Sequence, residues 1–92
     1  MAATFECSVV TPEAEVYRGQ VSYVVVPAHD GEIGFAPGRA PILLQVGAGS
    51  LRMTVESGSQ KTLAVSGGFA QMSASGLTVL ADSVDAEAAA AG

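Results

Sequence analysis

Turn-forming residues interrupt this chain roughly every six to ten positions, and between them apolar residues alternate with polar ones instead of recurring at helical spacing. Residues 4–10 set the pattern, with Phe5, Cys7 and Val9 on one side and Thr4, Glu6 and Ser8 on the other. Thr11-Pro12 ends that strand, and a short strand over 14–19 carries Val16 and Tyr17 to a turn near Arg18-Gly19. Residues 21–27 are a near-continuous apolar run, which predicts a strand covered on both faces. His29-Asp30-Gly31 is hairpin chemistry. Further strands are expected over 42–46, 51–56, 62–66, 69–72 and 77–81. Of these, 51–56 is the cleanest, with Leu51, Met53 and Val55 alternating with Arg52, Thr54 and Glu56. Gly67-Gly68 predicts a β-bulge. No helical period survives before Asp82. The expected fold is therefore all-β, an antiparallel β-sandwich or flattened barrel of eight to ten short strands.

At 92 residues the chain makes one domain with a single core. Residues 1–82 are assigned to the sandwich and 83–92 to a short acidic, alanine-rich tail. Asp82 or Ser83 suits a helix cap, but isolated helices shorter than about 12–15 residues are marginal in water. A frayed turn or disorder is expected there. Hydrophobic residues make up 49% and charged residues 14%, which excludes a disordered chain. Trp is absent and Phe and Tyr are few, so the core must be aliphatic, with valine dominant. A net charge of −5 and four scattered Lys and Arg form no basic patch, which argues against nucleic acid. The start of the chain has no basic segment followed by an apolar one. No apolar run approaches the roughly 20 residues of a membrane-spanning helix, so direct membrane insertion is not expected.

The stretch Gly31-Glu32-Ile33-Gly34-Phe35-Ala36-Pro37-Gly38-Arg39-Ala40-Pro41 stands out between two apolar runs. Its glycines mark bends and its prolines restrict φ, which predicts a rigid surface loop holding Glu32 and Arg39 toward a partner. Chemistry is hard to place elsewhere. His29, Asp30 and Glu32 have no second cluster to complete a metal site. Cys7 falls on the Phe5/Val9 face and reads as a small core residue, since catalysis would need a histidine partner. Gly47-Ala48-Gly49-Ser50 lacks the Lys-Ser/Thr of a phosphate loop. No active site, metal or cofactor is expected. Two rival readings stay open at this point. Lys61 beside a hairpin turn suggests a lipoyl- or biotin-carrier domain, and a free-standing sandwich suggests a small-ligand or carbohydrate binder.

Five motifs resemble one family in order and spacing: Val9-Val10-Thr11-Pro12-Glu13, Gly31-Glu32-Ile33-Gly34, Pro37-Gly38-Arg39-Ala40-Pro41, Ser66-Gly67-Gly68-Phe69 and Leu77-Thr78-Val79-Leu80-Ala81-Asp82. The chain resembles the N-terminal β-sandwich domain of the epsilon subunit of F-type ATP synthase over about eighty residues. The resemblance implies a non-catalytic central-stalk component, monomeric when isolated, that meets the gamma subunit and the membrane-embedded c-ring. It further implies a peripheral position at the cytoplasmic face of a bacterial inner membrane. It implies a c-ring-facing set of Glu32, Gly34, Pro37, Gly38, Arg39, Ala40 and Pro41, and a gamma-facing set of Thr11, Leu44 and Ser66. The family very often has histidine where Arg39 stands, and arginine stays charged at all physiological pH. The family usually continues into a helical hairpin that restrains ATP hydrolysis; this sequence stops near where that hairpin begins, so it is expected to lack that inhibition.

Overall fold

The structure, a computed structural model, describes residues 3–38 and 40–85. Its strands are β1 (Phe5–Val10), β2 (Glu15–Ala28), β3 (Gly31–Phe35), β4 (Ile42–Gln45), β5 (Gly49–Val55), β6 (Gln60–Ser73) and β7 (Gly76–Asp85). Hydrogen-bonded neighbours run β1-β7-β6-β5-β2-β3, and β1 also pairs with β2. Five strands thus close on themselves, with β3 on the outer side of β2 and β4 on β6. Only β1 and β7 are parallel; the other pairs are antiparallel. The result is the expected flattened all-β barrel.

Seven strands stand where eight to ten were expected, because β2 and β6 are each 14 residues long. No turn forms at Arg18-Gly19. There β2 is held against β1 by a register running from Phe5↔Val21 to Val10↔Glu15. Glycine inside a strand leaves a bare patch of backbone, and the Tyr17 ring fills it, its hydroxyl standing 2.7 Å from where a Gly19 Cβ would be. Beyond Val21 the same strand pairs with β5 and β3. It therefore contributes to both layers.

The second long strand does the same. Its first half pairs with β5 and its second half with β4. The change occurs at Gly67 and Gly68, whose φ values of 71° and 110° lie in the region that favours glycine. The expected bulge is absent, since the register against β7 passes from Ser66↔Ser83 to Gly68↔Ala81 without a shift. The pair is a bend at which β6 changes partners. The carbonyl of Leu80 occupies the place that a Gly68 Cβ would take. Three backbone bonds tie the same corner together: Val46 N–H to Gly68 O (2.9 Å), Gly47 N–H to Pro27 O (2.7 Å) and His29 N–H to Gln45 O (3.1 Å).

The core is mostly aliphatic, as composition required, with the aromatic rings of Phe5 and Phe35 among its valines and leucines. Val9, Val21, Val24, Val26, Val79, Leu51 and Phe35 are fully buried. Each such side chain contributes about 1.5–3 kcal/mol relative to exposure. The run over 21–27 is covered on both faces only at its end: Val24 and Val26 point inward and Pro27 is buried on the other face, whereas Tyr23 is exposed and Val25 is half-buried. Valine's preference for extended backbone accounts for Val25 without a second covering layer. Cys7 lies fully buried among these residues, its Sγ 3.9 Å from Met53 Sδ, and burial pushes its thiol up to about 12.

Two boundaries move. The supposed loop over 31–41 is a strand in its first five residues, because Ala28↔Gly31 through Val24↔Phe35 pair with β2 and Phe35 anchors in the core. At the other end, β7 continues through Asp85, past the boundary placed at residue 82. Asp82 and Ser83 cap nothing there. The long first half of β6 offers ladder partners, Ser66↔Ser83, Val65↔Val84 and Ala64↔Asp85, which outweigh a weak local signal. Residues 86–92, the remainder of the tail, lie outside the described residues.

Two tests follow from the corner and the core. Gly68→Ala must displace the Leu80 backbone and adopt an unfavourable φ, so urea denaturation should show a loss of about 2–4 kcal/mol. A loss under about 0.5 kcal/mol would mean that the close approach is not required. For Cys7, the folded thiol keeps its proton where the unfolded thiol, at its ordinary 9.0, loses it. This contribution is complete below about pH 9 and is lost as pH rises toward 12. Tyr17, also raised by burial and then by Cys7, pulls in the same direction. The wild-type urea midpoint should therefore fall more steeply above about pH 9 than that of Cys7→Ala. Parallel curves would remove Cys7 from the alkaline transition.

Candidate interaction surface

The β2–β3 hairpin turns at His29-Asp30, with Gly31 taking the positive φ of 129° that no described non-glycine residue adopts. This geometry places Glu32 opposite Pro27 and Gly34 opposite Val25 on the outer face. Glu32 is exposed. Its Oε1 accepts a 3.0 Å bond from Arg52 Nη2, which reaches across β2 from β5. Gly34 has a local reason to be glycine, because the Tyr23 hydroxyl lies over it where a Cβ would stand. An aromatic ring laid over a cross-strand glycine shields the bare backbone.

Pro37, Gly38, Ala40 and Pro41 lie at the other end of β3. They line a cavity of about 480 Å3 with Thr4, Phe5, Met72, Ser73 and Ala74. Arg39 lies outside the described residues. The described residues expected to face the c-ring therefore fall into two parts, with Glu32 separated from the strand end at Phe35 by about 10 Å of strand rise. Proline stiffening applies to the second part, and ladder bonds to β2 hold the first.

The residues expected to face gamma are also divided. Thr11 sits in the β1–β2 turn, where its N–H donates to Ala14 O at 2.8 Å and its side chain bonds the same residue. Ser66 is exposed on β6 opposite Ser83. Leu44 is half-buried on β4 opposite Ala70, and packs against the core. A groove of about 250 Å3 brings Leu44 and Glu32 together, with His29, Ile33 and Gln45 among its walls. Residues expected to meet two different partners thus share one groove.

Two features were missed by sequence reasoning. Phe69 and Leu80 are cross-strand partners on β6 and β7, and both are 54% exposed. Leu43, 66% exposed, lies on neighbouring β4. In Phe69-Ala70-Gln71-Met72 each parity carries an apolar residue, so alternation alone does not say which side faces water. The second is Arg52, whose partner became visible only once β3 and β5 were both placed beside β2.

The remaining candidates separate cleanly. Lys61 is exposed on β6 opposite Met53, outside the turn at 56–59, so it does not occupy a hairpin tip. His29 and Asp30 are exposed in their turn. Among the described residues, no group of three His, Cys, Asp or Glu is placed to hold a metal ion.

Residues 4–87 match the family described as ATP synthase, Delta/Epsilon chain, beta-sandwich domain. The chain is similar to ATP synthase epsilon chains from two strains of Desulfitobacterium hafniense, at 40% identity over 85 residues, or 92% of this chain. It spans 64% of the length of those relatives. In solved structures its fold is similar to a chain of the Euglena gracilis mitochondrial ATP synthase OSCP/F1/c-ring assembly. That TM-score is 0.84 at 20% identity, covering 92% of this chain and 54% of the other. A chain of the Tetrahymena thermophila mitochondrial ATP synthase central stalk and c-ring is similar with a TM-score of 0.72 at 14% identity, covering 91% and 67%. With the family matched over nearly all its length, this chain belongs to the ATP synthase delta/epsilon family, as that family's β-sandwich domain.

Proposed function

We propose that this chain is a non-catalytic rotor component of a proton-translocating ATP synthase, linking the gamma subunit to the c-ring so that ion flow couples to ATP synthesis. The observation that carries the reading is the family match over residues 4–87. Two further points support it. The similar folds come from assemblies described with a c-ring, one of them as a central stalk. The described surface also offers shape, at the groove lined by Leu44, and a rim charge at Glu32. A peripheral position at the cytoplasmic face of a bacterial membrane accords with the bacterial relatives.

In this reading the c-ring meets Glu32 and Gly34 of β3 together with Pro37, Gly38, Arg39, Ala40 and Pro41. Gamma meets Thr11, Leu44 and Ser66. Glu32 and Leu44 line one groove, so in this reading the two partners would sit side by side there. A turning stalk transmits torque only through contacts that do not shear. Closing the barrel leaves few soft edges between those surfaces.

Adding the chain to membranes depleted of the corresponding subunit should restore tight coupling of proton flow to ATP synthesis, and the chain should co-purify with gamma. No binding to gamma, together with coupling that is indifferent to the chain, would sink the proposal. Glu32→Lys should weaken c-ring attachment about two- to fivefold while leaving the fold intact, as expected for an exposed rim charge. Attachment unchanged by that reversal would take Glu32 out of the interface.

A further inference from the structure

The Glu32–Arg52 ion pair has a geometry that its contribution to folding does not explain. Arg52 stands opposite Val25 and Glu32 opposite Pro27, so the two side chains meet diagonally across the outer face of β2. Both remain about half exposed, at 45% and 53%. An exposed pair of this kind adds little to stability, because solvent screens it and two long side chains lose freedom in forming it. Its effect lies in position. A lone glutamate on an edge strand samples several rotamers, whereas this carboxylate is held by a charge-assisted bond of 3.0 Å.

From this we infer that Arg52 is a positioning residue for the c-ring contact, fixing the Glu32 carboxylate on the outer face of β2 and sharing in what that face recognises. The inference rests on the c-ring reading of Glu32 given above. Arg52 Nη2 bonds Glu32 Oε1, and no other side-chain bond of either residue is present among the described residues. Glu32 Oε2 is left as an acceptor, and the other guanidinium N–H groups as donors. The complementary chemistry is a group that both donates and accepts, which a side-chain amide or a backbone amide of a polar loop supplies. A simple cation would meet the adjacent guanidinium and be repelled. The pair therefore selects an amide-bearing loop over a purely basic one.

The test is a double-mutant cycle on binding of the chain, in complex with gamma, to purified c-ring. Arg52→Gln should lower affinity about two- to fivefold, no more than reversal of Glu32 does, with unchanged melting, and Arg52→Lys should restore part of it as a point charge. In a Glu32→Gln background, Arg52→Gln should cost markedly less than in the wild type, leaving only what the guanidinium contributes by its own contact. Wild-type affinity in Arg52→Gln would overturn the positioning role and leave the rotor reading standing. Equal losses in both backgrounds would overturn it too, by showing that Arg52 acts independently of Glu32. Absence of binding by the wild-type complex would instead remove the c-ring reading itself, and the inference with it.

Discussion

Gly68 meets the Leu80 carbonyl with no side chain between them, and that close approach lets β6 turn from one layer of the barrel into the other. Together with β2, which makes the same passage near Val21, it stitches the two faces into one closed surface. Neither layer has a private set of strands. Removing the passage at either place would leave open edges, and open edges are where sheets slip or pair with other chains. The placement of Glu32 on β3 and Leu44 on β4 follows from this closure, since β3 is held by β2 and β4 by β6.

Charge plays a small part in the frame. The described ion pairs, Arg18 with Glu6 and Glu15 and Arg52 with Glu32, all lie on the surface with side chains roughly half exposed. Stability comes from the valine-rich interior, in which Cys7 behaves as one more small apolar group and stays protonated. This division leaves surface polarity free to differ from one region to another. Uncharged Phe69, Leu80 and Leu43 occupy one outer face, and the charged pair lies across β2.

The strand class and most strand positions were legible because period-2 alternation and glycine turns are local signals. Leu51, Met53, Phe5 and Val9 fall inward as their parity predicted. What escaped was set by distant partners. Gly19 reads as a turn until the Tyr17 ring is seen covering it, and Asp82 reads as a cap until β6 is long enough to pair with it. The stretch at 31–41 reads as one loop, since nothing local distinguishes a glycine that bends from Gly34, which lies under Tyr23. The family resemblance offered candidate residues such as Glu32 and Leu44, yet their common groove depends on β4 folding back beside the β2–β3 turn.

If the two long strands make one cooperative unit, native-state amide hydrogen exchange should read it directly. Slow amides in the second half of β2, such as Val24 and Val26, should open with the same free energy as Cys7 and Val9 of β1 and Ala70 and Met72 of β6. That shared value should equal the global unfolding free energy. Two classes separated by more than about 2 kcal/mol would show layers that open independently, and would contradict the account of a single stiff frame.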